Sequence, residues 1–172
     1  MKLSIIIPAY NEEDNILPLY KEILKNIPKK YSYEIIFIDD GSTDSTLKNI
    51  KAIKDKNIKS ISFRKNFGKA EGLNTGFKEA TGDIIITMDA DLQDNPKEIP
   101  NFIKKINEGY DLVSGWKYNR LDPLGKRVPS KLFNKLTRIL TRVNLHDFNC
   151  GFKAYKKEVA KSLKLYGEMH RY

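Results

Sequence analysis

Apolar residues fall into short runs separated by stretches of helical spacing. Residues 3–8, LSIIIP, form the first run. The period then changes: Ile16, Leu17, Tyr20, Ile23, Leu24 and Ile27 recur three and four residues apart, as on one face of a helix. YEIIFIDD at 33–40 predicts a second strand, ending in Asp39 and Asp40. GSTDSTLKNIKAI then turns at Gly41 and starts a helix, with Ser42, Thr43 or Asp44 as cap. IKSISF at 58–63 alternates as a third strand, 67–80 suits a helix, and DIIITM at 83–88 is a fourth strand. PKEIPNFIKKI places Pro96 near the first turn of another helix, and YDLVSG at 110–115 predicts a fifth strand.

Strands alternating with helices imply right-handed crossovers and a mostly parallel sheet. The runs are continuously apolar, as expected when helices cover both faces. In such sheets ligands bind beyond the carboxyl ends of the strands. Pro8-Ala9-Tyr10-Asn11-Glu12, Asp39-Asp40-Gly41 and Asp89-Ala90-Asp91 all fall at those ends. There is no internal repeat, low-complexity tract or linker.

The fourth strand raises a chemical question, because IIITMDADLQD crowds Asp89, Asp91 and Asp94 together. Like charges that close need a positive partner, and a divalent cation is the simple candidate. Hard oxygen ligands at Asp89, Asp91 and Gln93 suit Mg²⁺ or Mn²⁺, and alternation along an extended segment would put all three on one side. The alternative is a solvated acidic turn. The phosphate-loop and dinucleotide glycine motifs are absent, so a nucleotide would need its phosphates held by other means, such as a metal. Asp39 or Asp40 could accept hydrogen bonds from a base or ribose, although Asp40-Gly41 also makes a good turn. Asp44 reads best as a helix cap. Tyr10 is either core or a surface for stacking on a base.

Length and charge sharpen this picture. The 172 residues suit a single domain, and the net charge of +9 is unevenly spread. Residues 117–164 hold thirteen Lys/Arg against three Asp/Glu, a balance of +10, which leaves −1 for the rest. Nucleic acid, an anionic membrane or a phosphorylated substrate could answer to that segment, and so could a solvated basic face. No apolar stretch reaches 18 residues, and MKLSIIIPAYNEE does not read as a signal peptide. Cys150 is the one cysteine, so no intrachain disulfide forms, and a cytoplasmic location is the default expectation. His146 and His170 lack the spacing of a zinc site.

Together, SIIIPAYNEEDNI, IIFIDDGSTDST, ATGDIIITMDADLQDNP and SGWKYNRLD…KRVPS…DFNCGFKAY resemble the family 2 inverting glycosyltransferases. The nearest subgroup is similar to the polyprenyl-phosphate sugar transferases, including the dolichyl-phosphate mannosyltransferase type. The resemblance covers essentially the whole chain. It implies the GT-A fold, a Rossmann-like mostly parallel sheet flanked by helices. It also implies a metal-dependent hexosyltransferase of glycan or cell-envelope biosynthesis. Such an enzyme takes a GDP- or UDP-sugar donor, Mg²⁺ or Mn²⁺, and a dolichyl or undecaprenyl phosphate acceptor. By position, Pro8, Tyr10, Glu12, Ile38 and Asp40 would line the nucleoside pocket, and Asp89 and Ala90 would contact the donor. Asp91 and Gln93 would hold the metal, and Lys117 and Arg127 would face the acceptor phosphate. The family usually carries Arg where this chain has Lys117, and Lys cannot reproduce a bidentate contact with phosphate.

The chemistry expected of such an enzyme can be argued directly. Departure of a nucleoside diphosphate concentrates negative charge, which a metal stabilises. A hydroxyl acceptor needs a general base. A lipid phosphate, with a second pKa of roughly 6, is already anionic and needs positioning instead. Asp147 in DFNCGF is the candidate base, or else a loop carboxylate that orders Asn149–Gly151. Leu132, Leu136, Ile139 and Val143 share one helical face, with Lys131, Lys135, Arg138 and Arg142 beside it. Such a helix can lie on anionic headgroups, which suits peripheral attachment at the cytoplasmic membrane face. Relatives continue beyond GEMHRY, so the expectation is one catalytic domain over 1–172 shortened at its C-terminal end. Competing expectations are transfer to a saccharide hydroxyl and a nucleotide-binding module without turnover. No nucleic-acid partner is expected, and a homo-oligomer is left open.

Overall fold

The structure is a computed structural model and describes residues 1–116 and 150–167. Its strands are β1 (Lys2–Ala9), β2 (Ser32–Asp39), β3 (Ile58–Ser62), β4 (Ile84–Thr87), β5 (Leu112–Ser114) and β6 (Lys153–Lys156). Its helices are α1 (Ile16–Asn26), α2 (Thr46–Ala52), α3 (Lys69–Glu79), α4 (Ile99–Asn107) and α5 (Lys157–Ser162). A 3-10 turn, Pro96–Glu98, leads into α4, and the Asn95 side chain accepts from the Lys97 N–H at 3.2 Å.

The sheet order is β3-β2-β1-β4-β6-β5. β3, β2, β1 and β4 are mutually parallel, and β6 runs antiparallel to both of its neighbours. β6 is the strand that the hydrophobic pattern missed. Its sequence, KAYK, looks charged, yet Lys153, Ala154 and Tyr155 are all buried. The predicted fifth strand therefore pairs with this late strand and not with β4.

Strand alternation divides the core into two layers. Leu3, Ile5, Ile7, Ile35, Phe37, Ile84 and Ile86 pack under α1 and α4 through Ile16, Leu19, Ile23, Ile99, Phe102 and Ile103. Ile6, Ile36, Ile38 and Ile85 face the other way, against Leu73 and Phe77 of α3. Fully burying one such side chain contributes about 1.5–3 kcal/mol. α3 lies unusually close to the sheet because glycines form its inner face. A Cβ built on Gly76 would sit 2.3 Å from Ile6 Cγ2, and one on Gly72 would sit 3.3 Å from Pro8 Cβ.

One buried polar cluster sits at the opposite, amino end of the sheet. Ser4 donates to Glu34 Oε1 at 2.5 Å, and the Thr81 N–H and hydroxyl donate to the same oxygen at 2.7 and 2.8 Å. The Lys2 ammonium is 3.1 Å from Glu34 Oε2. Burial opposes ionisation of Glu34, but these donors outweigh it and hold the carboxyl at a pKa of about 2.

Candidate functional site

The loops after β1 and β2 are stitched together. Asn11 adopts a left-handed backbone, φ 55°. Its N–H donates to Ser42 Oγ at 3.0 Å, and its Oδ1 accepts from the Thr43 N–H at 2.9 Å. The Glu12 N–H donates to Thr46 Oγ1 at 2.7 Å, while the Glu12 carboxylate accepts from Asn15 Nδ2 at 2.6 Å. The N-cap of α2 is Ser45, not Asp44; Asp44 Oδ1 accepts the Thr46 N–H at 2.9 Å from one residue ahead of it. Tyr10 projects from this platform, 44% exposed, and is not core. Pro8 is half-buried, whereas Ile38 and Ala90 lie in the core. Any pocket wall at those two positions would have to be backbone.

Asp39 and Asp40 are both buried and both engaged. Asp39 accepts from the Ser42 N–H at 3.2 Å and the Ser62 hydroxyl at 2.8 Å. Asp40 Oδ1 accepts the Phe67 N–H at 2.7 Å, and its Oδ2 accepts the Gly68 N–H at 2.9 Å. Asp40 thus ties the loop before α3 to the end of β2. Gly41, at φ +70°, lets that loop cross closely, since a Cβ there would meet the Lys65 carbonyl carbon at 2.4 Å. The crossing presents Phe67, 54% exposed, at the same edge as Tyr10.

The positive charge demanded by the acidic end of β4 comes first from the protein itself. The Lys69 ammonium, at the first position of α3, pairs with Asp89 Oδ1. Asp94, buried, accepts the Asp89 N–H at 3.0 Å. The chain does not stay extended beyond β4: Asp91 Oδ1 accepts the Gln93 N–H at 3.1 Å, and Leu92 has φ 61°. Residues 91 and 93 are therefore set by a tight turn and not by strand alternation. Gln93 is exposed and Asp91 half-buried. Among the described residues no group of three or more His, Cys, Asp or Glu side chains is arranged to hold a metal.

β6 enters the same edge. Thr87 donates from its hydroxyl to the Gly151 carbonyl at 2.8 Å. A Cβ on Gly151 would lie 2.7 Å from Asp89 Oδ2 and 2.8 Å from Lys69 Nζ, so a larger residue there would push the ends of these two side chains aside. Lys153, 4% exposed, stands across from Thr87. Lys69, Gly151 and Lys153 escaped the sequence reading. The unexplained crowding of Asp89, Asp91 and Asp94 was the one signal that a cation must come from somewhere else in the chain. Lys117, Arg127, Asp147 and the basic stripe Lys131, Lys135, Arg138 and Arg142 lie outside the described residues. Among the described residues no helix is long and apolar enough to cross a membrane.

Comparison with known proteins identifies the family and the fold. The model for glycosyl transferase family 2 matches residues 4–164. The chain is 36% identical over 178 residues to dodecaprenyl-phosphate galacturonate synthase of Rhizobium johnstonii, covering 100% of this chain and 53% of that protein. It is 39% identical over 165 residues to undecaprenyl-phosphate 4-deoxy-4-formamido-L-arabinose transferase of Shewanella sediminis, covering 94% and 50%. The chain thus spans about half the length of the curated relatives it matches. Glucosyl-3-phosphoglycerate synthase from Mycobacterium tuberculosis, solved with Mn²⁺, UDP and glucosyl-3-phosphoglycerate, superposes with a TM-score of 0.73 at 25% identity. That match covers 92% of this chain and 57% of the other. The architecture is the GT-A fold.

Proposed function

The chain belongs to glycosyl transferase family 2, and from that membership we propose that it is the catalytic domain of an inverting, metal-dependent sugar transferase acting on a polyprenyl phosphate. The observation that carries the reading is the placement of Asp89 and Asp91 just beyond buried β4, beside the loops that bear Tyr10 and Asp40. The relatives named for transfer to dodecaprenyl and undecaprenyl phosphate support the acceptor class. The neighbour solved with UDP and Mn²⁺ supports a uridine nucleotide, with GDP as the competing choice.

The residues present fit a divalent cation, though not as a closed protein cage. Asp91 is half-buried with one oxygen given to the Gln93 N–H, and Asp89 has its charge met by Lys69. Mg²⁺ is commonly held by one or two carboxylates plus substrate phosphates, and this donor set suits that arrangement. Asp91 would be the principal ligand, with Asp89 and Gln93 beside it. When bound, the cation would offset the charge gathering on the departing diphosphate.

The chain's own residues supply the rest. Tyr10 and Phe67 offer aromatic surfaces for the base, and Pro8 and Glu12 shape the loop that carries Tyr10. Asp40 acts on the nucleoside side through its hold on residues 67 and 68. Lys117 and Arg127 would receive the acceptor phosphate. That phosphate needs orientation more than deprotonation, and Asp147 would serve as base only for an acceptor that carries a proton. The basic stripe would seat the protein peripherally on an anionic cytoplasmic membrane face. The test is sugar transfer from UDP- and GDP-sugars to undecaprenyl phosphate, with and without Mn²⁺. A metal-dependent glycolipid product is expected, and product formed only on a saccharide hydroxyl would overturn the acceptor assignment.

A further inference from the structure

The Lys69–Asp89 pair poses a problem for any metal at this site. A carboxylate already covered by an ammonium is a poor ligand for a second cation, because the two positive charges repel at close range. Both side chains are mostly buried, at 29% and 24% exposure, so water screens that repulsion only in part.

The backbone around Lys69 is pinned. Asp40 grips the Gly68 N–H, Gly72 and Gly76 seat α3 on the sheet, and Gly151 closes one side of the pair. The long Lys69 side chain is the part left able to move. A lysine ammonium is a compact charge on a flexible stem and exchanges one anion for another without a fixed fork geometry.

We propose that Lys69 is an exchangeable counter-ion. It neutralises Asp89 while the donor site is empty and swings to the diphosphate when a nucleotide arrives, releasing Asp89 toward the divalent metal. Metal and nucleotide then bind interdependently: the metal alone is kept out, and the nucleotide opens its site. This rests on the donor-site reading above and adds an order of assembly to it. By linkage, each of the two ligands raises the affinity of the other by the same factor.

The experiment measures Mn²⁺ affinity by electron paramagnetic resonance of the free ion, without nucleotide and with UDP or GDP, for the whole chain and its variants. The unsubstituted chain should bind Mn²⁺ weakly alone and more tightly with a nucleoside diphosphate. Lys69→Met should raise nucleotide-free Mn²⁺ affinity by about tenfold or more, the scale on which neighbours of metal ligands act, and should shrink the coupling. Lys69→Arg keeps the ion pair and should keep the metal out. Lys69→Gln provides the same comparison should the methionine variant melt early. Unchanged nucleotide-free Mn²⁺ affinity in Lys69→Met and Lys69→Gln overturns the counter-ion role, even where nucleotide-dependent binding persists. Failure of both nucleotides to bind with Mn²⁺ to the unsubstituted chain overturns the donor-site reading instead, and the nucleotide-free comparison still decides the role of Lys69.

Discussion

Replacing Asp40 with alanine separates two ways in which a strand-end acid can serve a nucleotide site. Asp40 is 4% exposed and accepts the N–H groups of Phe67 and Gly68 at 2.7 and 2.9 Å. A hydrogen bond to a charged group contributes about 1.5–3 kcal/mol. Phe67 is exposed and Gly68 half-buried, so water can reach the freed donors and recover part of the loss. The expected cost of Asp40→Ala is therefore about 2–3 kcal/mol, near the value of one such bond kept whole. With a urea m-value of about 1–3 kcal/mol/M, the midpoint falls by roughly 0.7–3 M. Amide exchange adds local resolution: the Phe67 and Gly68 amides should lose protection while those of β1 and β4 keep theirs. Nucleoside affinity should fall because the displaced loop carries the Phe67 side chain, and nucleoside diphosphate affinity should fall at least as far because the same loop leads directly into Lys69. A midpoint shift below about 0.3 M, equivalent to about half a kcal/mol, with both amides still protected would refute the anchoring role. If nucleoside affinity nonetheless fell, Asp40 would be touching the ligand directly.

Three further outcomes follow from the same coordinates. Glu34 has its pKa lowered from 4.5 to about 2, so it binds fewer protons folded than unfolded. Its contribution of about 3 kcal/mol is present above pH 4.5 and lost as pH falls toward 2; Glu34→Gln should flatten that part of the stability profile, and an identical acid profile in chemical denaturation would count against it. Gly76→Ala places a Cβ 2.3 Å from Ile6 Cγ2 and should cost about 1–3 kcal/mol by overpacking, whereas Gly72→Ala, with its nearest contact at 3.3 Å, should be close to neutral; equal melting temperatures for the two variants would contradict the close seating of α3. Nucleoside diphosphate should bind tightly only with Mg²⁺ or Mn²⁺, and Asp91→Ala should remove that dependence; calorimetry giving the same affinity in EDTA would refute it.

β1, β2 and β4 were legible because their isoleucine runs face two helical layers, and β3, at the sheet edge, because its apolar and polar residues alternate. β6 was not, because Lys153 and Lys156 flank its two apolar residues and the buried Lys153 reads locally as a surface charge. At the site, the sequence placed Asp40 and Asp89 at the correct edge, since strand ends are local features. It could not show what they hold. The partners of Asp40 lie 27 and 28 residues away and that of Asp89 lies 20 away, brought in by the segment before α3, whose close crossing depends on Gly41. The expected alternation of 89, 91 and 93 failed because Leu92 turns the chain into the left-handed region.

The antiparallel placement of β6 also orders events in time. Thr87 and Gly151 are 64 residues apart, so β4 leaves the ribosome long before its neighbour on that side exists. At about 5–20 residues per second, that gap lasts on the order of 3–13 s. Throughout it β4 has β1 on one side and an open apolar edge on the other, the kind of edge that recruits foreign strands. The nascent chain is thus exposed to misassembly between the synthesis of β4 and that of β6. The arrival of residues 150–156 closes that edge and, in the same step, brings Gly151 against the Lys69–Asp89 pair.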